Sequence, residues 1–242
     1  MTYSRPAEAG PAIAPAWHNM NKRSRKPATV VLTIGHSTRS LEALIGLLRA
    51  HQVRRLVDVR TIPRSRHNPQ FNKETLPAAL RAAGIKYRHF PKLGGLRHAR
   101  ADSRNLAWRN SSFRGFADYM QTPEFETAVD QLAELAEHER LAVMCAEAVP
   151  WRCHRSLIAD ALFVRGFRVE HILSGIRSQA HEPTPWARIR GKRITYPLEE
   201  SARDIIPKPA SRRHAPRDKR LAKAPAARRR ARKAAGRAAR RR

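Results

Sequence analysis

Between residues 29 and 173, five short apolar runs rich in branched side chains alternate with stretches of helical periodicity. Residues 29–34 (Thr-Val-Val-Leu-Thr-Ile), stopped by Gly35, read as a buried strand. Residues 53–59, 85–90, 141–145 and 168–173 repeat the signal and predict four more strands. After the first run, Leu41, Leu44, Ile45 and Leu48 form one apolar stripe behind Ser40, which is placed to cap a helix running to about Ala50. Residues 74–83 predict a second helix closed by Gly84. Residues 113–120 and 124–139 predict two more, with Pro123 near the first turn of the latter. Residues 153–165 predict a fifth helix, closed by Gly166, and residues 91–110 a long polar loop.

Strands alternating with helices imply βαβ units and a mostly parallel sheet. Five strands are too few for a closed barrel, so the pattern predicts an α/β fold: an open, Rossmann-like three-layer sandwich with helices on both faces. The segment after Ser174 is rich in Pro and Arg, and residues 193–198 offer one further edge strand. The domain is accordingly expected over residues 29–206, between a flexible extension (1–28) and a disordered, low-complexity Lys/Arg/Ala tail (207–242).

Charge changes this picture. The 242 residues carry a formal charge of +29, of which the tail supplies +15 (four Lys and twelve Arg against one Asp). The first 28 residues supply +4, leaving +10 on the middle. Such a surface attracts polyanions, nucleic acid first. Within the tail, Arg228, Arg229, Arg230, Arg232 and Lys233 are the expected phosphate contacts; with no aromatic residue there, nonspecific neutralisation rather than base stacking is expected. No apolar run approaches bilayer length and no signal-peptide pattern opens the chain. The expected setting is therefore cytoplasmic, nucleoid-associated if the tail binds DNA, with no membrane partner. Two cysteines do not make a disulfide scaffold and read as thiols or metal ligands.

In parallel sheets, ligands bind beyond the carboxyl ends of the strands. There the sequence places Gly35-His36-Ser37, Asp58-Val59-Arg60, Leu93-Gly94-Gly95, and Cys145-Ala146-Glu147 leading to Cys153-His154-Arg155. In this order and spacing, the four motifs resemble the family called domain of unknown function 488 over roughly residues 29–176. The resemblance implies a fold and a site with no established reaction. The site it implies comprises His36, Ser37, Asp58, Arg60, Gly94, Gly95, Cys145, Glu147, Cys153, His154 and Arg155.

The residues themselves leave several chemistries open. His36, Asp58 and Glu147 are acid/base candidates, and Cys145 and Cys153 candidate nucleophiles. Ser37, Arg60, Arg64, Lys73, Gly94, Gly95, Arg97, His154 and Arg155, with Arg66, Lys92 and Arg152 nearby, would receive an anionic substrate or small molecule. On an unbroken strand Cys145 and Glu147 would share a face. A phosphatase-type loop needs Arg six residues after the cysteine, where Trp151 stands instead. Cys145, Cys153 and His154 have the ligand types for zinc or another transition metal, although seven intervening residues is not a standard zinc spacing. A redox pair ranks last, because a strand end and a helix start need not meet disulfide distance limits. Against these stand plainer roles: a core thiol, a helix cap at Ser37 or Ser40, and an Asp58–Arg60 pair that only holds structure. The expected function is an enzyme acting on a phosphate-bearing, nucleotide or nucleic-acid substrate. The alternative is a non-enzymatic nucleic-acid-associated module tethered by its tail.

Overall fold

The computed structural model of the chain describes residues 28–198. Backbone contacts divide the chain into two units, Met1–Glu200 and Ser201–Arg242. The second unit, and with it Arg228, Arg229, Arg230, Arg232 and Lys233, lies outside the described residues.

In chain order the elements are β1 (Val30–Gly35), α1 (Leu41–Ala50), β2 (Arg55–Asp58), α2 (Leu76–Ala82), β3 (Lys86–His89), α3 (Ser111–Tyr119), α4 (Pro123–His138), β4 (Leu141–Cys145), α5 (Arg155–Phe163) and β5 (Arg168–Ile172). Three short strands follow: β6 (Ser178–Ala180), β7 (Arg188–Arg190) and β8 (Arg193–Thr195). The main sheet has the order β3-β2-β4-β1-β5-β6. Its first five strands are parallel, as the alternation of elements predicts, and β6 pairs antiparallel to β5.

The strands' two faces pack against different helices. Leu32, Ile34, Leu56, Ala142 and Met144 join Leu44 and Leu48 of α1 and Leu76 and Leu80 of α2. Val31, Val57, Val143, Cys145 and Val169 join Phe116 of α3, Phe125 and Leu132 of α4, and Leu157 and Ile158 of α5. This is the expected three-layer α/β arrangement, with strand alternation assigning each apolar side chain to one of two cores. Local signals work as read: the Ser40 hydroxyl accepts from the Ala43 N–H at 3.1 Å. Gly84 and Gly166, at φ of +75° and +88°, close α2 and α5 in the left-handed region that a side chain would strain.

Two features differ from expectation. Residues 193–195 do not extend the sheet; β8 pairs with β7 in a separate two-stranded hairpin, while the sheet edge is taken by β6. Strands of three residues with an exposed, polar sequence such as Ser-Gln-Ala carry no hydrophobic period to read. The fifth helix begins at Arg155 rather than Cys153, because a 3-10 turn, Pro150–Arg152, comes first and leaves Cys153 extended.

The topology makes a crevice at the carboxyl ends. Adjacent strands β1 and β4, paired as far as Gly35 and Cys145, send their connections to opposite faces, through α1 and α5 respectively. Diverging crossovers of this kind open a binding site in parallel sheets. Among the described residues, no helix is long and apolar enough to cross a membrane.

Candidate functional site

Cys145 ends the central strand β4, and the 3-10 turn returns Cys153 over it, so the two free sulfurs lie 2.6 Å apart. Arg155, the first residue of α5, aims its Nη1 at Cys145 Sγ (3.3 Å) and its backbone N–H at Cys153 Sγ (3.4 Å). Its Nη2 donates to the Ala148 carbonyl at 3.3 Å, and its Nε has no partner. Arg155 is 1 % exposed, and no carboxylate forms an ion pair with it among the described residues. A buried guanidinium without a counter-charge costs several kcal/mol; the sulfur of Cys145 is the group placed to supply one.

Burial alone would raise the Cys145 thiol, but the Cys153 S–H and the Arg155 guanidinium outweigh it and hold Cys145 below the ordinary thiol range. Cys153 moves the opposite way: its hydrogen bond to Cys145, its burial and the neighbouring thiolate all push it well above that range. Of the two, Cys145 is therefore the more acidic thiol, and Cys153 the donor between them. The Glu147 carboxylate is not a partner of the thiol, and its charge only weakly opposes the ionisation of Cys145. Strand pairing stops at Cys145, so alternation fails beyond it; the Glu147 side chain is exposed and its backbone carbonyl faces Cys145 Sγ at 3.6 Å.

His154 caps this turn. Its Nε2 lies 3.2 Å from the Val59 carbonyl, which can only accept, so the proton sits on Nε2. The Nδ1 lone pair then faces Cys153 Sγ at 3.6 Å. Burial, foremost, lowers His154 to about 4, so the ring is neutral at neutral pH. Gly95 is fitted against this ring, and Gly94 against Thr61: a Cβ on either would overlap the His154 imidazole or the Thr61 side chain. Both glycines thus act by letting backbone approach the site.

The Gly-His-Ser turn crosses the end of β4. The His36 N–H donates to Cys145 O (3.0 Å) and the Ser37 N–H to Ala146 O (2.8 Å), with Ser37 at a left-handed φ of 49°. His36 Nδ1 faces the Ser37 carbonyl at 2.8 Å and must carry the proton. Its Nε2 lone pair is met by Arg60 Nη1 at 3.3 Å, and burial holds the ring at about 4. Asp58 is fully taken up: Oδ1 accepts from the Arg60 backbone and Nε, while Oδ2 accepts from Arg60 Nη2 (2.6 Å) and the Tyr87 hydroxyl (2.9 Å). Arg60 Nη2 also donates to Phe71 O at 2.6 Å. The Asp58–Arg60–His36 chain is a strut that orients the turn.

A cavity of about 660 Å³ opens over the sulfurs. His36, Ser37, Arg60, Arg64, Gly95, Glu147, Arg152, Cys145, Cys153 and His154 line it, together with Ile62, Ser65, Leu96, Ser112 and Phe113, which the sequence did not single out. Arg64 and Arg152 are exposed at this cavity, Arg64 with only a distant contact to Glu74 (3.9 Å). Lys73 and Arg97 do not line it: Lys73 is exposed elsewhere, and Arg97 lies 3.6 Å over the Tyr119 ring and donates to Gly94 O and Lys92 O. Arg66 and Lys92 are likewise exposed outside the lining.

The candidate metal group of Cys145, Cys153 and His154 does not assemble. Among the described residues, no three or more His, Cys, Asp or Glu side chains are arranged to hold a metal ion. Cys145 already faces a guanidinium, and the His154 ring nitrogens face Val59 O and Cys153 Sγ.

Behind α5 lies a polar chain that sequence reading missed. Asp160, 1 % exposed, accepts from His181 Nε2 (2.9 Å), the Thr184 N–H (3.0 Å), Thr184 Oγ1 (2.7 Å) and the Tyr196 hydroxyl (2.7 Å). His181 Nδ1 meets His171 Nε2 at 3.2 Å, and His171 Nδ1 meets Thr33 Oγ1 at 2.7 Å. The only signal was His171, a polar residue in a strand of otherwise apolar inward positions.

These histidines predict acid sensitivity. Burial lowers His36 and His154 to about 4 and His171 to about 3, against an unfolded value near 6.5. Below about pH 6.5 the unfolded chain binds protons that the folded chain refuses, so stability is full above that value and falls as pH drops toward 4. Each of His154 and His171 contributes at most about 1.4 kcal/mol per pH unit. Urea midpoints measured from pH 7 to 5 should fall steadily; a flat profile would contradict the neutral, buried rings.

The model of a family described as "Domain of unknown function DUF488" matches residues 40–162. Comparison with curated proteins and with solved structures finds no match. The family match spans β2, β3, β4 and nearly all of α5, and with them Asp58, Arg60, both cysteines, His154 and Arg155. With just over half of its residues matched, the chain belongs to the domain of unknown function 488 family.

Proposed function

We propose that this protein is an enzyme whose nucleophile is the Cys145 thiolate, acting on an anionic substrate admitted through the cavity at the strand ends. The carrying observation is Arg155: a guanidinium buried without a carboxylate partner among the described residues, 3.3 Å from the Cys145 sulfur. A cation so placed favours the thiolate, which is the reactive form of cysteine. The roles of the other residues follow from their contacts. Cys153 donates its S–H to the thiolate, and the Gly-His-Ser turn, held by Asp58 and Arg60, braces the end of β4. Arg64 and Arg152 meet the anionic part of the substrate, against one carboxylate in the lining, Glu147. Ile62, Leu96 and Phe113 add apolar wall, so the substrate carries an uncharged portion as well.

Thiolate absorbance in the ultraviolet, followed against pH on the full chain, tests this reading. One thiolate should form with a midpoint below the ordinary thiol value of about 8.5, should vanish in Cys145→Ser and should remain in Cys153→Ser. A midpoint at or above the ordinary value in the wild type would sink the proposal.

A further inference from the structure

We propose that Cys145 and Cys153 are an attacking and a resolving thiol that together reduce an anionic low-molecular-weight disulfide, ending as an intrachain Cys145–Cys153 disulfide. The inference rests on the thiolate reading above and adds the substrate class and the role of the second cysteine. Three features carry it: the spacing of the sulfurs, the single cation that serves both, and the cavity above them.

The sulfurs are 2.6 Å apart, so bonding them asks for less than an ångström of movement. Both belong to the core on the α5 side of the sheet, yet both also line the open cavity, which a purely packing role does not require. Arg155 touches both, Cys145 through its guanidinium and Cys153 through its backbone N–H. While Cys145 is the thiolate, its charge and its hydrogen bond keep Cys153 protonated. Once Cys145 is bonded to a substrate sulfur that charge is gone, and Arg155 faces Cys153 alone. The same cation thus activates the two thiols in turn.

The electrons balance as follows. The Cys145 thiolate attacks one sulfur of the disulfide R–S–S–R; the substrate S–S bond breaks and one thiolate, RS⁻, leaves, giving a mixed disulfide on Cys145. Cys153 gives its proton to the departed RS⁻, a far stronger base than the buried His154 ring, and attacks the Cys145 sulfur. The mixed disulfide breaks and the second RS⁻ leaves. The substrate has gained two electrons and become two thiols; the cysteine pair has lost two and become a disulfide. An external dithiol returns the pair to its starting state by the same exchange. Arg64 and Arg152 at the cavity favour a disulfide bearing carboxylates over one bearing amines.

The test uses the full chain, fully reduced, with oxidised glutathione as the anionic probe, cystamine as the cationic probe and hydrogen peroxide as a third oxidant, read by intact-mass spectrometry. The wild type should become two hydrogens lighter and release two glutathiones. Cys153→Ser should stop with one glutathionyl group on Cys145, and Cys145→Ser should acquire neither change. At low salt, oxidised glutathione should react at least about tenfold faster than cystamine, the preference shrinking as salt screens the mouth. If the wild type stops at the glutathionyl adduct as Cys153→Ser does, the resolving role falls while the thiolate reading stands. Equal rates for the two disulfides, or oxidation by peroxide tenfold faster than by either, would overturn the substrate class. Absence of the low-midpoint thiolate absorbance in the reduced wild type, before any disulfide is added, would remove the underlying reading instead. Cys153→Ala, checked for cooperative unfolding beside the wild type, guards against a serine-specific packing defect.

Discussion

Replacing Arg155 with methionine should raise the Cys145 titration by about one pH unit or more, lowering the thiolate fraction at neutral pH accordingly. Two opposing effects act on that thiol. Burial favours its neutral form, and the Arg155 guanidinium, with the Cys153 S–H, favours its charged form strongly enough to win. Methionine removes the cation and leaves the burial, so the balance reverses. The variant should still fold, because exchanging a buried, carboxylate-free charge for an apolar side chain of similar length is often neutral or stabilising. Alkylation of Cys145 by iodoacetamide at pH 7 should slow about in step with the thiolate fraction, and Arg155→Lys should recover part of the rate through its remaining positive charge. Unchanged alkylation in Arg155→Met would mean that the thiol's reactivity has another source. Because stability and thiol titration are predicted to separate in this variant, a simple folding defect is distinguishable from a loss of activation.

Asp160→Ala should produce the largest stability loss, about 3–5 kcal/mol in urea denaturation. The carboxylate lies on α5 and accepts from four donors on three separate residues, all of them later in the chain. Removing it leaves the Thr184 N–H, the Thr184 and Tyr196 hydroxyls and His181 Nε2 without that acceptor in a site too buried for water to replace it. Tyr196 is fully buried, and its hydroxyl is already pushed well above its ordinary range by burial and the adjacent carboxylate. Asp160→Asn, which keeps the shape but substitutes two donors for one acceptor oxygen, should fall between wild type and alanine. A loss under about 1 kcal/mol for Asp160→Ala would show that these hydrogen bonds bear little of the fold's stability.

The fold was legible where periodicity was long. Among the described residues, the five parallel strands and the five α-helices follow from apolar runs and amphipathic stripes, and Ser40, Gly84 and Gly166 act as the punctuation they resemble. The three-residue strands β6, β7 and β8 were not legible, since neither a period nor a branched run can declare itself over three residues. The site was legible in position and less so in role. Strand-end motifs were brought to one crevice by the topology, and the cavity gathers His36, Ser37, Arg60, both cysteines and His154. Alternation misplaced the Glu147 carboxylate because it assumes a strand that continues past Cys145. Spacing argued against close sulfurs because it could not show the 3-10 turn that folds Cys153 back over Cys145. Lys73 and Arg97 were grouped with the cavity by charge alone, which says nothing of direction; Arg97 is spent on Tyr119 and loop carbonyls. The Asp160 network was invisible for a related reason. Its members are scattered from Thr33 to Tyr196, and no local pattern links them.

Helix α5 has two working ends. Its first residue sets the charge at the thiols, and Asp160, five positions on, is gripped by His181, Thr184 and Tyr196. Those three gripping residues lie beyond residue 162, where the family match stops. What the family shares and what must fold as one piece therefore have different boundaries. The matched segment carries both cysteines, His154 and Arg155, and the residues that hold their helix in place lie outside it. A chain cut at residue 162 would keep the thiols and lose the grip on the helix that charges them, so the matched segment alone should not hold its own site together.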